Sequence, residues 1–142
     1  MKAIINKYLN YSKKCIDSKI FRNYFIVKNN KKIDLLQNGK LSCAKFVSEV
    51  LLKFKLIEYA HLRVVSCVKD MNKNNWKKVD INNLELGDVL VWDKNKSGHY
   101  HMGFYIGNKR AISNSEKYRC PREHHFTYMG KRKIIKVLRY KK

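Results

Sequence analysis

The sequence predicts an α+β fold in which N-terminal helices pack against a C-terminal antiparallel sheet. Across residues 41–54, apolar side chains recur at the three- and four-residue spacing of one buried helical face. After residue 84 the pattern changes to short runs with period two, separated by turn signals. Because the helical segments precede the strands along the chain, helices and sheet are expected to form two packed layers.

The N-terminal residues 2–26 predict one or two amphipathic helices. The apolar stripe of the first one contains Ile4, Ile5, Tyr8 and Leu9. A basic amphipathic helix can lie on an anionic membrane, but packing against its own domain is the commoner outcome. Residues 24–39 then contain an Asn-Asn turn signal and a closing glycine, and we expect a loop that leads to the next helix.

The central helix, residues 41–54, carries a cysteine in its first turn. Its apolar face consists of Cys43, Phe46, Val47, Val50, Leu51 and Phe54. Ser42 is suited to the N-cap, so the Cys43 sulfur is expected beside unpaired backbone N–H groups and the positive end of the helix dipole. This position favours the thiolate and makes Cys43 a candidate nucleophile if a histidine reaches it. The alternative is an ordinary small apolar residue of the core.

The segments after the central helix predict one more helix and the start of the sheet. Residues 61–79 are expected to hold a second short helix that ends near Asn74 and Asn75. Gly87-Asp88 is a turn signal, and residues 89–92 read as a short buried strand.

Residues 99–115 predict a β-hairpin with a histidine near the start of its first strand. One face of that strand carries Met102, Phe104 and Ile106, and the other carries His101, Gly103 and Tyr105. Residues 123–128 and 133–140 are expected to form two further antiparallel strands, separated by Met129-Gly130.

Composition limits the class of protein. At 142 residues, we expect one domain over 1–142, acting as a monomer. The net charge of +21, from 32 basic and 11 acidic residues, favours a polyanion or an acidic surface as partner. The four cysteines form no CxxC pair, and no apolar signal segment or membrane-spanning run is present. We therefore expect a chain that is cytoplasmic as synthesised, without stable membrane insertion, and delivered to any external target by lysis or a secretion system.

Three short segments resemble the NlpC-type family of bacterial and phage cell-wall cysteine peptidases, and more loosely the CHAP-type amidases. These segments are SCAKFV from residue 42, LELGDVLVW from residue 84 and HMGFYIGNKRAIS from residue 101. The resemblance covers about residues 38–115. It implies a papain-like fold, in which a cysteine at a helix start and a histidine on the sheet meet across the seam between the two layers.

The resemblance implies that Cys43 is the nucleophile and His101 the general base. The family's third polar residue, often a histidine, falls at about Ser113. If Gly107-Asn108 is the two-residue turn of the hairpin, the opposed residue is Asn114 instead, which we favour because its amide oxygen can accept the imidazole N–H. His124 and His125 are the remaining candidates for this role. Three aromatic residues are plausible walls of a substrate groove: Tyr24, Trp92 and Tyr105.

These features predict a cysteine hydrolase that cleaves amide bonds without a cofactor, with the stem peptides of peptidoglycan as the favoured substrate. A toxin or effector that cleaves or deamidates a protein is an alternative with the same chemistry. The charge and the nine tyrosines also suit a nucleic-acid-binding domain, which is not favoured because no binding motif is recognisable. His99 with His101, or Cys120 with His124 and His125, suggest a zinc site, but the usual CxxC spacing is missing and we expect no metal.

Overall fold

The structure is a computed structural model that describes all residues 1–142, and it confirms the α+β class. Three α-helices, here α1 to α3, span Lys2–Lys14, Cys43–Lys53 and Val64–Lys73. Eight strands, β1 to β8, span Phe25–Lys28, Lys31–Asp34, Trp76–Val79, Val89–Trp92, His101–Gly107, Arg110–Ser115, Cys120–His125 and Ile134–Tyr140. A 3₁₀ turn at Ile81–Asn83 lies between β3 and β4. None of the helices is long and apolar enough to cross a membrane.

Six strands form one antiparallel sheet in the order β3-β8-β4-β5-β6-β7. Neighbouring strands from β4 to β7 are consecutive in sequence, whereas β8 returns across the sheet and pairs with both β3 and β4. The hairpin β5–β6 therefore lies in the interior of the sheet, where strands on both sides fix its position.

The sheet buries apolar side chains on both faces. On one face, α2 packs against β5 and β6 through Phe46, whose ring meets Phe104 edge-on at 5.6 Å between centroids. Helix α1 covers the same face, and the buried Tyr8 hydroxyl donates a 2.6 Å hydrogen bond to the Gly87 carbonyl. The opposite face holds a smaller cluster: Leu90, Trp92, Ala111, Ile134 and Val137.

The Gly87-Asp88 turn is joined to β8 by an ion pair whose carboxylate is buried and whose guanidinium is 18% exposed. The Asp88 carboxylate, 1% exposed, accepts two 2.8 Å hydrogen bonds from the Arg139 guanidinium and one from the Glu85 backbone N–H. Arg139 also donates to the Asn83 carbonyl at 2.6 Å and pairs with the Glu85 carboxylate. The start of β4 is thereby held against a strand 51 residues later.

Two parts of the N-terminal half differ from the sequence prediction. The helix predicted within residues 2–26 ends at Lys14, and residues 24–39 are not a plain loop, because β1 and β2 form a separate hairpin there. Asn29 and Asn30 have φ of 53° and 62° and make the two-residue turn of this hairpin. The short strands do not show the burial pattern of a sheet, because six of their eight side chains are exposed and three are lysines.

Candidate active site

Cys43 is the first residue of α2, as the periodicity of that helix predicts. Ser42 occupies the N-cap position, but its hydroxyl makes no capping bond and is buried without a hydrogen-bond partner. The Cys43 thiol donates a 3.8 Å hydrogen bond to the Tyr100 carbonyl, immediately before β5. The sulfur thus lies in the seam between the helix start and the strand that carries His101.

The pKa of the Cys43 thiol differs from the sequence expectation. Burial raises this pKa, and the effect outweighs the backbone N–H groups of Met102 and Ala44 and the positive charge of Arg132, which lower it. The helix start was expected to favour the thiolate, but the loss of water around the sulfur costs more than these dipoles supply. In the resting protein the thiol is therefore protonated at neutral pH.

His101 begins β5 and is held between an aromatic ring and a hydroxyl. Its ring packs on Trp92 with centroids 5.1 Å apart, and the residue is 8% exposed. The Nε2 atom lies 2.9 Å from Ser113 Oγ, while Nδ1 makes no hydrogen bond within the protein. Burial, followed by the charge of Arg132, lowers the pKa of His101 well below its usual value. The ring is consequently neutral at pH 7 and able to accept a proton.

Ser113 belongs to a wider polar network. Its Oγ lies 2.6 Å from His124 Nε2 and 3.0 Å from the Tyr128 hydroxyl, in addition to the contact with His101. The rings of His124 and Tyr128 are stacked, with centroids 4.1 Å apart and an interplanar angle of 12°. His101, Ser113 and His124 come from three neighbouring strands, β5, β6 and β7, so the register of these strands holds the network together.

Asn114, favoured from the sequence as the partner of His101, makes no hydrogen bond to that ring. The turn residues are Asn108 and Lys109, and a register shift between Tyr105 and Gly107 places Ser113 opposite Gly103. Since side chains alternate between faces, Ser113 shares the face of His101 and Asn114 points to the other one. The Asn114 amide instead donates to the Gly39 carbonyl at 2.7 Å.

A cavity of about 1000 Å³ opens over Cys43, His101, Ser113 and His124. Its walls carry six basic residues: Lys40, Arg63, Lys117, Arg122, Lys131 and Arg132. The two carboxylates of the lining, Glu116 and Glu123, are paired with Lys40 and Arg110 at 3.9 and 3.1 Å. The cavity is therefore suited to an anionic ligand.

Arg132 is the basic residue of the cavity that is most firmly held. Its guanidinium donates to the carbonyls of Asp93 and His99 at 3.1 to 3.3 Å, while Nη1 makes no hydrogen bond within the protein. Its charge acts on both Cys43 and His101. A fixed cation with free donors is thus available beside the reacting groups.

Four residues selected from the sequence lie outside this cavity. Trp92 is fully buried beneath His101 and donates its indole N–H to the Phe126 carbonyl, so it supports the ring and is not a groove wall. Tyr24 lies on the surface, and Tyr105 packs against Phe126 on the sheet. The His125 Nδ1 accepts N–H bonds from residues 127 and 129 and does not reach His101. The aromatic residues that line the cavity are Tyr100, Tyr118 and Tyr128.

The suggested zinc ligands do not assemble. No group of three or more His, Cys, Asp or Glu side chains is arranged to hold a metal ion. Instead, the His124 Nδ1 bonds to a backbone carbonyl and its Nε2 to Ser113, which uses both ring nitrogens.

Sequence reasoning overlooked Tyr128 and Arg132. Both lie in the segment between β7 and β8, which returns over the cavity after the sheet edge. The only signal in the sequence was the cluster of aromatic and basic residues after the His124-His125 doublet.

The sequence profile of the NlpC/P60 family matches residues 22–139. The match extends from just before β1 to the penultimate residue of β8 and includes every cavity-lining residue. No curated protein matches the chain.

Proposed function

Because the chain belongs to the NlpC/P60 family, we propose that its 142 residues form one thiol hydrolase domain that cleaves an amide bond in peptidoglycan stem peptides. Members of this family are cysteine peptidases or amidases that act on cell-wall peptidoglycan. The observation that carries the proposal is that Cys43 and His101 line one basic cavity, with Ser113 bonded to Nε2 of the histidine.

In the proposed reaction, His101 Nδ1 takes the proton of the Cys43 thiol as the sulfur attacks the amide carbonyl carbon. The carbonyl oxygen gains negative charge, which the Cys43 backbone N–H at the helix start stabilises. His101 then gives its proton to the leaving amine, and the C–N bond breaks to leave a thioester on Cys43. A water molecule, deprotonated by His101, hydrolyses the thioester and returns the thiol.

The resting protonation states support proton transfer that is concerted with attack. Burial raises the pKa of the Cys43 thiol and lowers that of the His101 ring, so both groups are neutral before substrate binds. The imidazolium then forms only as the sulfur attacks the carbonyl carbon, and Arg132 stabilises the negative charge that develops in the cavity.

The charge of the cavity supports a peptide substrate that carries carboxylates. The cavity lining contains six basic residues and only two carboxylates, and both carboxylates are already paired with basic side chains. Arg132 has donors free to bind a carboxylate oxygen. The net charge of +21 would in addition hold the enzyme on an anionic wall polymer. We propose that the protein acts as a monomer, because all residues of the proposed site belong to one chain.

Purified sacculi test this proposal. The protein should release new amino groups, and Cys43→Ala should abolish the release because no nucleophile remains. Cys120→Ala, which removes another buried thiol outside the cavity, is the matched control and should retain activity. If the Cys43→Ala protein and the parent release the same products at the same rate, the assignment is wrong.

A further inference from the structure

The direction of each hydrogen bond around Ser113 can be worked out from one backbone carbonyl. His124 Nδ1 lies 2.7 Å from the carbonyl oxygen of His125, which can only accept. His124 Nδ1 must therefore carry a proton. In a neutral ring the other nitrogen, Nε2, is then unprotonated and accepts a hydrogen bond.

Ser113 supplies the proton for that bond. Its Oγ lies 2.6 Å from His124 Nε2, and a serine hydroxyl has a single proton to donate. The two lone pairs of Oγ remain for the other neighbours, at 2.9 Å from His101 Nε2 and 3.0 Å from the Tyr128 hydroxyl. Both of these groups must donate, so His101 carries its proton on Nε2 and has a free lone pair on Nδ1.

The surroundings keep His124 neutral. Burial lowers the pKa of its ring, and among the nearby charged groups Arg110 also lowers it while Glu123 raises it. Burial outweighs the hydrogen bond to the His125 carbonyl, which raises this pKa, and His125 also lowers it through its charge. The rings of Trp92 and Tyr128 pack on His124 at 5.6 and 4.1 Å between centroids. The ring is therefore fixed in place as well as in protonation state.

We propose that His124 is a positioning residue that acts through Ser113 to hold His101 as its Nε2–H tautomer. The inference rests on the proposed function, because the tautomer matters for catalysis only if His101 Nδ1 receives the thiol proton. Ser113 alone does not fix the tautomer, since its hydroxyl can equally donate to His101 Nε2 and so place the ring proton on Nδ1. His124 removes this second arrangement by engaging the hydroxyl proton.

The same direction of hydrogen bonding holds when His101 is charged. As an imidazolium, the ring still donates from Nε2 to Ser113 Oγ, so only Nδ1 exchanges a proton during turnover. The network does not have to rearrange between proton uptake from Cys43 and proton delivery to the leaving amine. This preorganisation is the catalytic advantage of the hydrogen-bonded relay His124–Ser113–His101.

Three variants separate the parts of the relay. The His124→Phe variant keeps a ring to stack on Tyr128 but cannot accept a hydrogen bond from the Ser113 hydroxyl. The His124→Gln variant restores an acceptor oxygen near the position of Nε2. Ser113→Ala removes the link itself. His125→Asn is the matched control, because its side-chain oxygen replaces the Nδ1 acceptor of a histidine that does not join the network.

The first measurement is ¹⁵N NMR of the His101 ring, which identifies the protonated nitrogen without a substrate. We expect the Nε2–H tautomer in the parent and in His125→Asn, and a mixture of both tautomers in His124→Phe. An Nδ1–H tautomer in the folded parent overturns the proposal, as does an unchanged, pure Nε2–H tautomer in His124→Phe. Neither result depends on whether the protein hydrolyses peptidoglycan.

The second measurement is kcat/KM for amine release from a soluble stem peptide. His124→Phe and Ser113→Ala should lower it on the order of a hundredfold, within the range that general acid–base catalysis contributes. The loss should fall on kcat, and His124→Gln should recover most of it. Equal losses in His124→Phe and His124→Gln, with both proteins folded by NMR, would contradict the relay, whereas absence of Cys43-dependent hydrolysis in the parent contradicts the proposed function instead.

Discussion

Replacing Arg139 by methionine should lower the Tm of the protein by many degrees. The substitution keeps most of the side-chain volume but leaves the Asp88 carboxylate, 1% exposed, with only the Glu85 backbone N–H as donor. It also removes the donor to the Asn83 carbonyl. Breaking one side of a buried ion pair costs roughly 3 to 5 kcal/mol, because the remaining charge is buried without compensation.

This free energy converts into a large change in Tm. Unfolding entropies near 2.1 cal/mol/K per residue give about 0.3 kcal/mol per degree for a chain of this length. The Tm of Arg139→Met should therefore fall by about 10 to 17 °C. Differential scanning calorimetry at pH 7 measures it directly.

Arg110→Met is the matched control. Arg110 also pairs with a carboxylate, that of Glu123 at 3.1 Å, but the two side chains are 42% and 45% exposed. An exposed pair contributes about 0 to 1 kcal/mol, so this variant should lose no more than about 3 °C. If the two variants have the same Tm, the Arg139–Asp88 pair does not hold the start of β4, and the reasoning from burial is refuted.

Three shorter predictions concern the site and its surroundings. Gly103→Ala should inactivate the enzyme and destabilise it by about 1 to 3 kcal/mol in urea unfolding. The reason is that the new Cβ would lie 2.6 and 2.7 Å from Ile112 O and Ser113 Cβ. Full activity would show that the network around Ser113 tolerates displacement of that residue. The alkylation of Cys43 by iodoacetamide should rise with an inflection above the ordinary thiol value, since burial raises its pKa, and an inflection below about 8.5 would contradict this. Burial raises the pKa of Asp34, but backbone and side-chain N–H donors, led by the Tyr24 N–H, outweigh burial and lower the pKa to about 2. The stability that the Asp34 carboxylate supplies is therefore present above about pH 4 and is lost as the pH falls towards 2. Asp34→Asn should remove that part of the acid loss in urea unfolding curves, and identical pH profiles would contradict it.

The sequence predicted helices and strands correctly where burial of one face imposes a regular spacing of apolar residues. The helix start at Cys43 and the strand Val89–Trp92 lie where the apolar pattern predicts, because both are packed against the same core. The predicted end of the second helix near Asn74 is likewise confirmed, since Asn74 is the C-cap of α3.

The third polar residue of the site depends on register, which the sequence does not specify. The irregularity between Tyr105 and Gly107 shifts the pairing of β6 by one residue, and such a shift exchanges the faces of Ser113 and Asn114. The position of His124 depends in addition on the pairing of β7 with β6, over strands that share no local signal. The helix periodicity and the family resemblance therefore identified the nucleophile and base candidates, but only the assembled sheet brings His124 and Ser113 together.

The position of β8 between β3 and β4 has a consequence for folding during synthesis. On the ribosome, β4 to β7 emerge in order and can form hairpins locally, whereas β3 and one edge of β4 have no partner until residues 134–140 leave the exit tunnel. Arg139, which neutralises Asp88, arrives with the same segment. The nascent chain is consequently expected to expose unpaired strand edges until β8 emerges, the stage at which chaperones would protect it from aggregation.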